Sequence, residues 1–327
     1  MTTIGPETGT AAGVEAGRRL PDLGLVERPD VAQDDGARPG AVRAGRARGP
    51  RSSRVTRIVC GVALALVGVL FLYPFVWLVS ASLKPRSEVF DNRLLPQDAA
   101  PGNYATMLEA APVLTWLVNS IVVGVAAAVA VTLSSAVVAF GFSYFRFPFR
   151  GPLFGLVLAT MMLPGAVTMV PTYLIWNDLG LASTQVPLWA QNLFGSAFYI
   201  FMLRQYFLGI PRDLYEAAML DGASYWRMFR SVALPLARPA LVVVAIFELR
   251  ASWTDLVKPL IYLRDPDLYT IPRGLKAVVD QFGRGGEAQW EVVLAASVVT
   301  TVPMIVLLLL AQRYFTEGIA AAPRTGR

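Results

Sequence analysis

The chain has 327 residues, of which 55% are hydrophobic and 16% charged, and its mean hydropathy is +0.51. This composition is too apolar for an ordinary soluble domain and indicates a multi-pass protein of the cell membrane. The single cysteine, Cys60, excludes an intrachain disulfide, and the absence of histidine removes the commonest general base and metal ligand, so we expect no catalytic site, metal or bound cofactor.

Residues 1–55 are rich in Gly, Ala, Pro, Arg and Asp and show no apolar periodicity. Such a segment cannot bury a core, so we predict a disordered cytoplasmic tail. The first apolar run begins only near Ile58, too late for the order of a signal peptide. We therefore expect a retained first transmembrane helix over residues 56–83.

Six apolar stretches are long enough to cross about 30 Å of hydrocarbon as helices of about 20 residues. One of them is interrupted by Glu248, Arg250, Asp255 and Lys258, and we expect this fifth span to have a broken or water-facing half. The sequence thus predicts an all-α membrane protein with six transmembrane helices. In chain order these are Ile58–Leu83, Val113–Phe145, Gly151–Asn177, Leu179–Leu203, Pro239–Leu263 and Val292–Gln312.

The basic residues predict the orientation of these spans. Lysines and arginines collect in the N-terminal tail, in alternate loops and after the sixth span, which places both termini in the cytoplasm. Residues 84–112 then form an extracytoplasmic loop, and residues 313–327 form a cytoplasmic tail. The segment 264–291 fits least well, because its four basic residues fall outside. This distribution explains the net charge of +6 without nucleic-acid binding.

A polar segment of about residues 207–239 lies on the predicted cytoplasmic side, between the fourth and fifth spans. We predict a helix that starts with Pro211 at its first position and ends near Leu220, with Gly222 as a left-handed C-terminal cap. Ser224 suits the N-cap of a second helix. That helix would have one apolar face, formed by Tyr225, Phe229 and Val232. It would end at the pair Leu234-Pro235.

The composition of this segment favours docking on a soluble protein. Ala217 and Ala218 would let another surface approach the first helix closely, while Glu216 and Asp221 offer charge to a cationic partner. The alternative is a helix that lies on the lipid headgroups, although such a helix usually has more lysine and a wider apolar face.

The same residues resemble a known motif. Glu216-Ala217-Ala218, Asp221-Gly222-Ala223 and Leu234-Pro235 are similar to the EAA loop of ATP-binding-cassette importer permeases, and the resemblance extends from about Ile58 onward. Thr254 departs from it, because the carbohydrate branch usually has Asn there. Segments similar to that branch, in particular to the second permease subunit of maltose-type importers, are Gly102-Asn103-Tyr104, Met162-Leu163-Pro164 with Pro171, Leu179-Gly180-Leu181, Leu203-Arg204-Gln205, Thr270-Ile271-Pro272 and Gln312-Arg313-Tyr314-Phe315.

The resemblance implies an importer permease with its core in residues 113–312. The EAA loop would be a coupling helix seated on a separate ATPase dimer, with Glu216 paired to a basic residue and Gly222 supplying the turn; the segment Gln312–Arg327 would also approach the ATPase. It further implies a second homologous permease, an extracytoplasmic solute-binding protein and a carbohydrate solute. No glycine is followed directly by lysine, so there is no phosphate loop and a partner would bind ATP.

The charged half of the fifth span is the candidate solute path. Glu248, Ser252 and Asp255 share one helical face, and Trp253 lies to one side. Polar groups beside an indole suit a sugar, and interrupted spans are where transporter pathways are found. Alternatively, these charges sit near the outer interface, with Asp255 paired to Lys258.

Two other classes of membrane protein fit the sequence less well. An ion-coupled secondary transporter would need an isolated intramembrane acid and an internal repeat, and a membrane-embedded transferase would need a convergent catalytic set. Three intramembrane amides are predicted to be interhelical hydrogen-bond partners rather than solute ligands, namely Asn119, Gln191 and Asn192.

Overall fold

The computed structural model describes residues 54–91, 93–283 and 288–320, so most of the predicted N-terminal tail and the last seven residues lie outside it. In the described part of the chain every long element is helical and no strand occurs, which confirms the all-α class. The α-helices are α1 Arg54–Ser82, α2 Gly102–Ala110, α3 Val113–Tyr144, α4 Arg150–Thr160, α5 Gly165–Asp178, α6 Val186–Trp189, α7 Ala197–Leu208, α8 Arg212–Leu220, α9 Tyr225–Met228, α10 Leu234–Leu236, α11 Arg238–Thr254, α12 Val257–Tyr262, α13 Ile271–Phe282 and α14 Trp290–Ala320.

Three described helices are individually long and apolar enough to cross a membrane, over Val55–Ser82, Val113–Tyr144 and Trp290–Leu310. These match the first, second and sixth predicted spans. Three further candidates are bent pairs of helices, so the described residues hold three to six spans. α14 continues to Ala320, so the segment predicted as a tail from residue 313 begins inside a helix.

The third and fourth predicted spans are not single helices. α4 and α5 meet at 96°. Pro164 between them is extended, at φ −61° and ψ 132°, and Leu163, the residue before this proline, resists the helical conformation. The fourth span begins seven residues later than predicted, at Val186. It then passes through a 3₁₀ turn, Ala190–Phe194, and bends by 40° at Gly195, whose φ is +79°. Positive φ favours glycine here.

Two apolar clusters pack these helices. The Trp116 cluster joins α2, the start of α3, α13 and the start of α14, and the Phe140 cluster joins the end of α3 to α7, α8 and α11. In the first cluster the Trp116 Nε1 donates to the Pro266 carbonyl at 2.8 Å. Asn119 donates to the carbonyls of Asp267 at 2.8 Å and Tyr269 at 3.0 Å, so its partner is this connection and not another membrane helix. These bonds tie the connection before α13 to α3.

The Gly102-Asn103-Tyr104 motif closes the end of α1. The Asn103 side chain donates to the carbonyls of Ser82 and Lys84, both at 2.9 Å, and so satisfies acceptors that the helix leaves open. Lys84 is fully buried and hydrogen-bonds Asp91, which holds the pKa of that carboxyl below its ordinary value. The motif therefore has a structural role in this loop.

Candidate functional site

The polar segment between the fourth and fifth spans forms the predicted helix-turn-helix. Its first helix, α8, runs from Arg212 to Leu220, with Asp213 in its first turn. Pro211 occupies the N-cap, one position before the predicted one, and its ψ of 134° is extended. The boundaries of this helix otherwise agree with the prediction.

The turn after α8 has the predicted geometry. Gly222 has φ +76° and donates its N–H to the Met219 carbonyl at 3.0 Å, while the Ala223 N–H reaches the Ala218 carbonyl at 2.9 Å. These two bonds form a Schellman motif, which requires a left-handed residue at the position of Gly222. Ser224 then caps the next helix, since its Oγ accepts the Arg227 N–H at 3.3 Å. The predictions of Gly222 as a left-handed C-terminal cap and of Ser224 as an N-cap are confirmed.

The second helical part differs from the prediction at Pro235. The chain does not end its helix at Leu234-Pro235 but passes through a π-helical turn, Phe229–Ala233, into α10, and bends by 77° before α11. Proline has no N–H to complete an ordinary α-helical turn. The wider turn that precedes it is a known local adjustment to such a break in the ladder. Leu234 and Pro235 are both half-buried.

Aromatic side chains fix the segment to the membrane helices. Tyr215 and Phe229 are each 4% exposed. The ring of Phe229 lies 5.1 Å from that of Phe140, and the ring of Tyr215 lies 5.3 Å from that of Tyr144. Burial raises the pKa of Tyr215 to about 12, so this anchor stays neutral at physiological pH. The segment is therefore held in place by the Phe140 cluster.

The opposite side of the segment is open. Glu216, Ala217 and Asp221 are exposed, Leu220 is 90% exposed and Trp226 is 64% exposed. Ala218 is instead half-buried against the Phe140 cluster. We call the five exposed residues the loop surface. Two large exposed apolar side chains, one of them an indole, with carboxylates beside them are typical of a protein-binding site that has an apolar centre and a polar rim.

The fifth span is broken, as predicted. α11 ends at Thr254, Asp255 is extended, and α12 begins at Val257. The Asp255 Oδ1 accepts the N–H groups of Val257 and Lys258 at 3.1 and 3.2 Å, and its Oδ2 lies 3.4 Å from Lys258 Nζ. The ion pair between Asp255 and Lys258, which the alternative to a solute path predicts, is therefore present, and it lies at the break.

A cavity of about 200 Å³ lies beside this break. It brings together Glu248, Ser252 and Asp255, the three residues predicted to share a face. Trp253 does not line it and packs against the Trp116 cluster instead. Irregular backbone at membrane depth is tolerated where it lines such a cavity. The other lining residues are Val123, Leu188, Asn192, Ser196, Ala251, Lys258, Pro259 and Thr270.

Sequence reasoning missed three of the polar lining residues. Asn192 was expected only to join helices, and it does: its Nδ2 donates to Glu248 Oε1 at 2.6 Å. It also lines the cavity, as do Ser196 and Thr270. Asn192 and Ser196 lie close to Gly195 in the sequence. This glycine, inside a predicted span, is the sequence feature that could have predicted a break in the helix near these two residues. In the described residues no group of three or more Asp, Glu or Cys side chains could hold a metal ion.

Comparison with known proteins gives a consistent result. Residues 128–320 match the family model described as "Binding-protein-dependent transport system inner membrane component". The probable ABC transporter permease protein YurM of Bacillus subtilis is 33% identical over 81% of this chain and 87% of its own length. The sn-glycerol-3-phosphate transport system permease protein UgpE of Agrobacterium fabrum is 31% identical over 81% of this chain and 96% of its own. The arabinooligosaccharides transport system permease protein AraQ of Bacillus subtilis is 30% identical over 81% and 94%.

Among solved structures, a chain of a bacterial ABC transporter involved in the import of the acidic polysaccharide alginate is similar to this one. It has a TM-score of 0.71 and 26% identity, with 82% of this chain and 99% of that chain covered. The similarity therefore includes the order and arrangement of the helices over nearly the whole of that permease chain.

Proposed function

We propose a topology, a coupling site and a solute class for this chain, which belongs to the family of binding-protein-dependent transport system inner membrane components. It is a membrane permease of an ATP-driven importer and not an enzyme. Family membership argues against both alternatives from the sequence, the ion-coupled transporter and the membrane-embedded transferase. The family description and the resemblance support a complex with a second homologous permease, an ATPase dimer and an extracytoplasmic solute-binding protein.

The topology that we propose has six spans, with both termini in the cytoplasm and the polar segment on the cytoplasmic side of the cell (inner or plasma) membrane. In this arrangement α4 with α5, and α6 with α7, each make one bent span. α11 has only 17 residues, and α12, beyond the break, completes the fifth span. The asymmetry of arginine and lysine supports this orientation.

Reporter fusions test the orientation. A reporter that is active only outside the cytoplasm should be active when fused after Asp178 and inactive when fused after Asp221. A reporter that is active only in the cytoplasm, fused at the same two positions, should give the opposite pattern and controls for expression. Activity of the first reporter at Asp221 but not at Asp178 would refute both the topology and the docking of the loop on a cytoplasmic ATPase.

The loop surface is the proposed ATPase-coupling site. One observation carries this assignment: a segment anchored by buried aromatic rings presents Glu216 and the 90% exposed Leu220 away from the rest of the chain. Gly222 fixes the angle between its two helices, and Glu216 is proposed to pair with a basic residue of the ATPase. The remaining motif residues, proposed to shape this site, are Ala217, Ala218, Asp221, Leu234 and Pro235.

The solute that we propose is a carbohydrate. The name of one relative refers to arabinooligosaccharides, and the similar structure belongs to a transporter that imports the polysaccharide alginate, whereas another relative is named for sn-glycerol 3-phosphate, a phosphorylated polyol. The cavity at the break of the fifth span offers carboxylates, hydroxyls, an amide and an ammonium group, which suits a polyhydroxylated compound. Glu248, Ser252 and Asp255, with Asn192, are the residues that we assign to the solute path.

A further inference from the structure

The cavity at the break of the fifth span holds more negative than positive charge. Among its eleven lining residues, Glu248 and Asp255 carry carboxylates and Lys258 carries an ammonium group. Lys258 is paired with Asp255 at 3.4 Å, so these two charges compensate each other. Within the described lining, the carboxylate of Glu248 is left as one uncompensated negative charge.

The groups around Glu248 hold it without neutralising it. The Asn192 Nδ2 donates to it at 2.6 Å, but this donor is uncharged. Two further cations, one on α11 itself and one on the neighbouring α13, do not line the cavity. Arg250 on α11 is exposed, and Arg273 on α13 lies over the ring of Tyr269 at 4.1 Å. The cavity is therefore an electronegative, hydrogen-bonding site.

We propose that this cavity admits neutral polyhydroxylated solutes and repels anionic ones, so that the carried carbohydrate is an uncharged sugar or oligosaccharide and not a phosphorylated or acidic one. The inference rests on the proposed function, because it takes the cavity to be part of the solute path. A sugar hydroxyl can donate to the carboxylates of Glu248 or Asp255 and accept from Lys258. A phosphate or carboxylate group would instead lose its hydration on entering a cavity whose net charge is also negative, and it would be repelled.

The test uses two small thiol reagents of opposite charge, so it does not depend on knowing the solute. In the full chain with the native cysteine removed (Cys60→Ser), a single cysteine is placed in the cavity (Ser252→Cys). An exposed reference cysteine is placed in the connection between α5 and α6 (Ser183→Cys). A cationic and an anionic methanethiosulfonate are applied from outside, and the ratio of their modification rates is measured. Because both reagents attack the same thiolate, the ratio isolates the effect of reagent charge.

The expected ratio of cationic to anionic rate is on the order of tenfold higher at residue 252 than at residue 183, from one unscreened charge nearby. A charge series sharpens the test. Glu248→Gln or Asp255→Asn should lower the ratio towards the reference value, and Lys258→Gln should raise it. Asp255→Asn combined with Lys258→Gln should restore the original ratio, because the net charge is unchanged.

The matched control is Lys276→Gln, which removes the same charge from an exposed pair with Asp280 on α13 and should leave the ratio unchanged. Equal ratios at residues 252 and 183, or a faster anionic reaction in the cavity, would overturn the charge selectivity and leave the assignment as a permease untouched. If the cysteine at 252 reacts with neither reagent while that at 183 reacts with both, the cavity is not open to water. That result would refute this inference together with the proposed solute path.

Discussion

Replacing Glu216 with alanine is expected to abolish solute uptake while the permease still inserts at normal levels. Glu216 is exposed on α8, and alanine is a good helix former. In the assembled importer we propose that this carboxylate is desolvated against a basic group of the ATPase. Its removal would leave that charge buried and unpaired, at a cost of about 3 to 5 kcal/mol.

Gly222→Val should cause the same loss by a different route. Gly222 has φ +76°, and a β-branched residue resists this conformation, so the second helix would be misdirected. Gly222→Asn is the matched control, because asparagine tolerates the left-handed region and should retain most of the uptake. For the charge, the control is Glu109→Ala, which removes another exposed glutamate from the short helix α2.

Both variants are measured by solute uptake and by co-purification of the ATPase from membranes. The account predicts loss of uptake in Glu216→Ala and Gly222→Val, with normal amounts of permease and near-normal uptake in the two controls. Wild-type uptake in both test variants would show that the loop is only an amphipathic surface element. The ATPase-coupling assignment would then be withdrawn.

The second large effect is expected at Gly274 in α13. An added Cβ would lie 2.1 Å from Cε3 and 2.3 Å from Cδ2 of Trp116, so the ring or the helix must move. Trp116 is 4% exposed, and its Nε1 is committed to the Pro266 carbonyl, so the ring has little room. Overpacking of this kind costs about 1 to 3 kcal/mol or more. Gly274→Ala should therefore destabilise the Trp116 cluster markedly.

The control for Gly274 is Gly141→Ala, in the interior of α3, where no atom lies within 4 Å of the added Cβ. That substitution should be neutral or stabilising by about 0.5 to 1 kcal/mol, because alanine favours the helix. The melting temperatures of the two purified variants in detergent are compared with that of the wild type. Equal melting of Gly274→Ala and Gly141→Ala would contradict the close packing of α13 on Trp116.

The sequence predicted unbroken spans well and broken ones poorly, for a physical reason. Hydropathy measures transfer into lipid, and the stretch from Gly151 to Asn177 remains apolar through the 96° bend at Pro164. Averaging over such a window hides one extended residue. The break in the fifth span was predictable because charges accompany it there, and Asp255 terminates α11.

The two candidate sites also differ in how well the sequence predicts their geometry. The geometry of the polar loop depends on local rules for caps and turns, so Gly222 and Ser224 could be predicted from nearby residues alone. The cavity depends on which helices pack together. Asn192 and Glu248 are 56 positions apart, and no local pattern shows that their side chains meet. Trp253 was placed beside that face because it follows Ser252 in the sequence, but within α11 its side chain packs against the Trp116 cluster.

Contact between the loop surface and an ATPase is the central claim, and site-specific photocross-linking tests it most directly. A photoreactive amino acid is placed at Leu220, which is 90% exposed, or at Leu95, which is 73% exposed in the loop predicted to lie outside the cell. After irradiation of cells that express the complete importer, the account predicts a cross-link to the ATPase subunit from position 220 and none from position 95. Cross-linking to the ATPase from position 95, or its absence from position 220 in an assembled and transporting complex, would contradict the account.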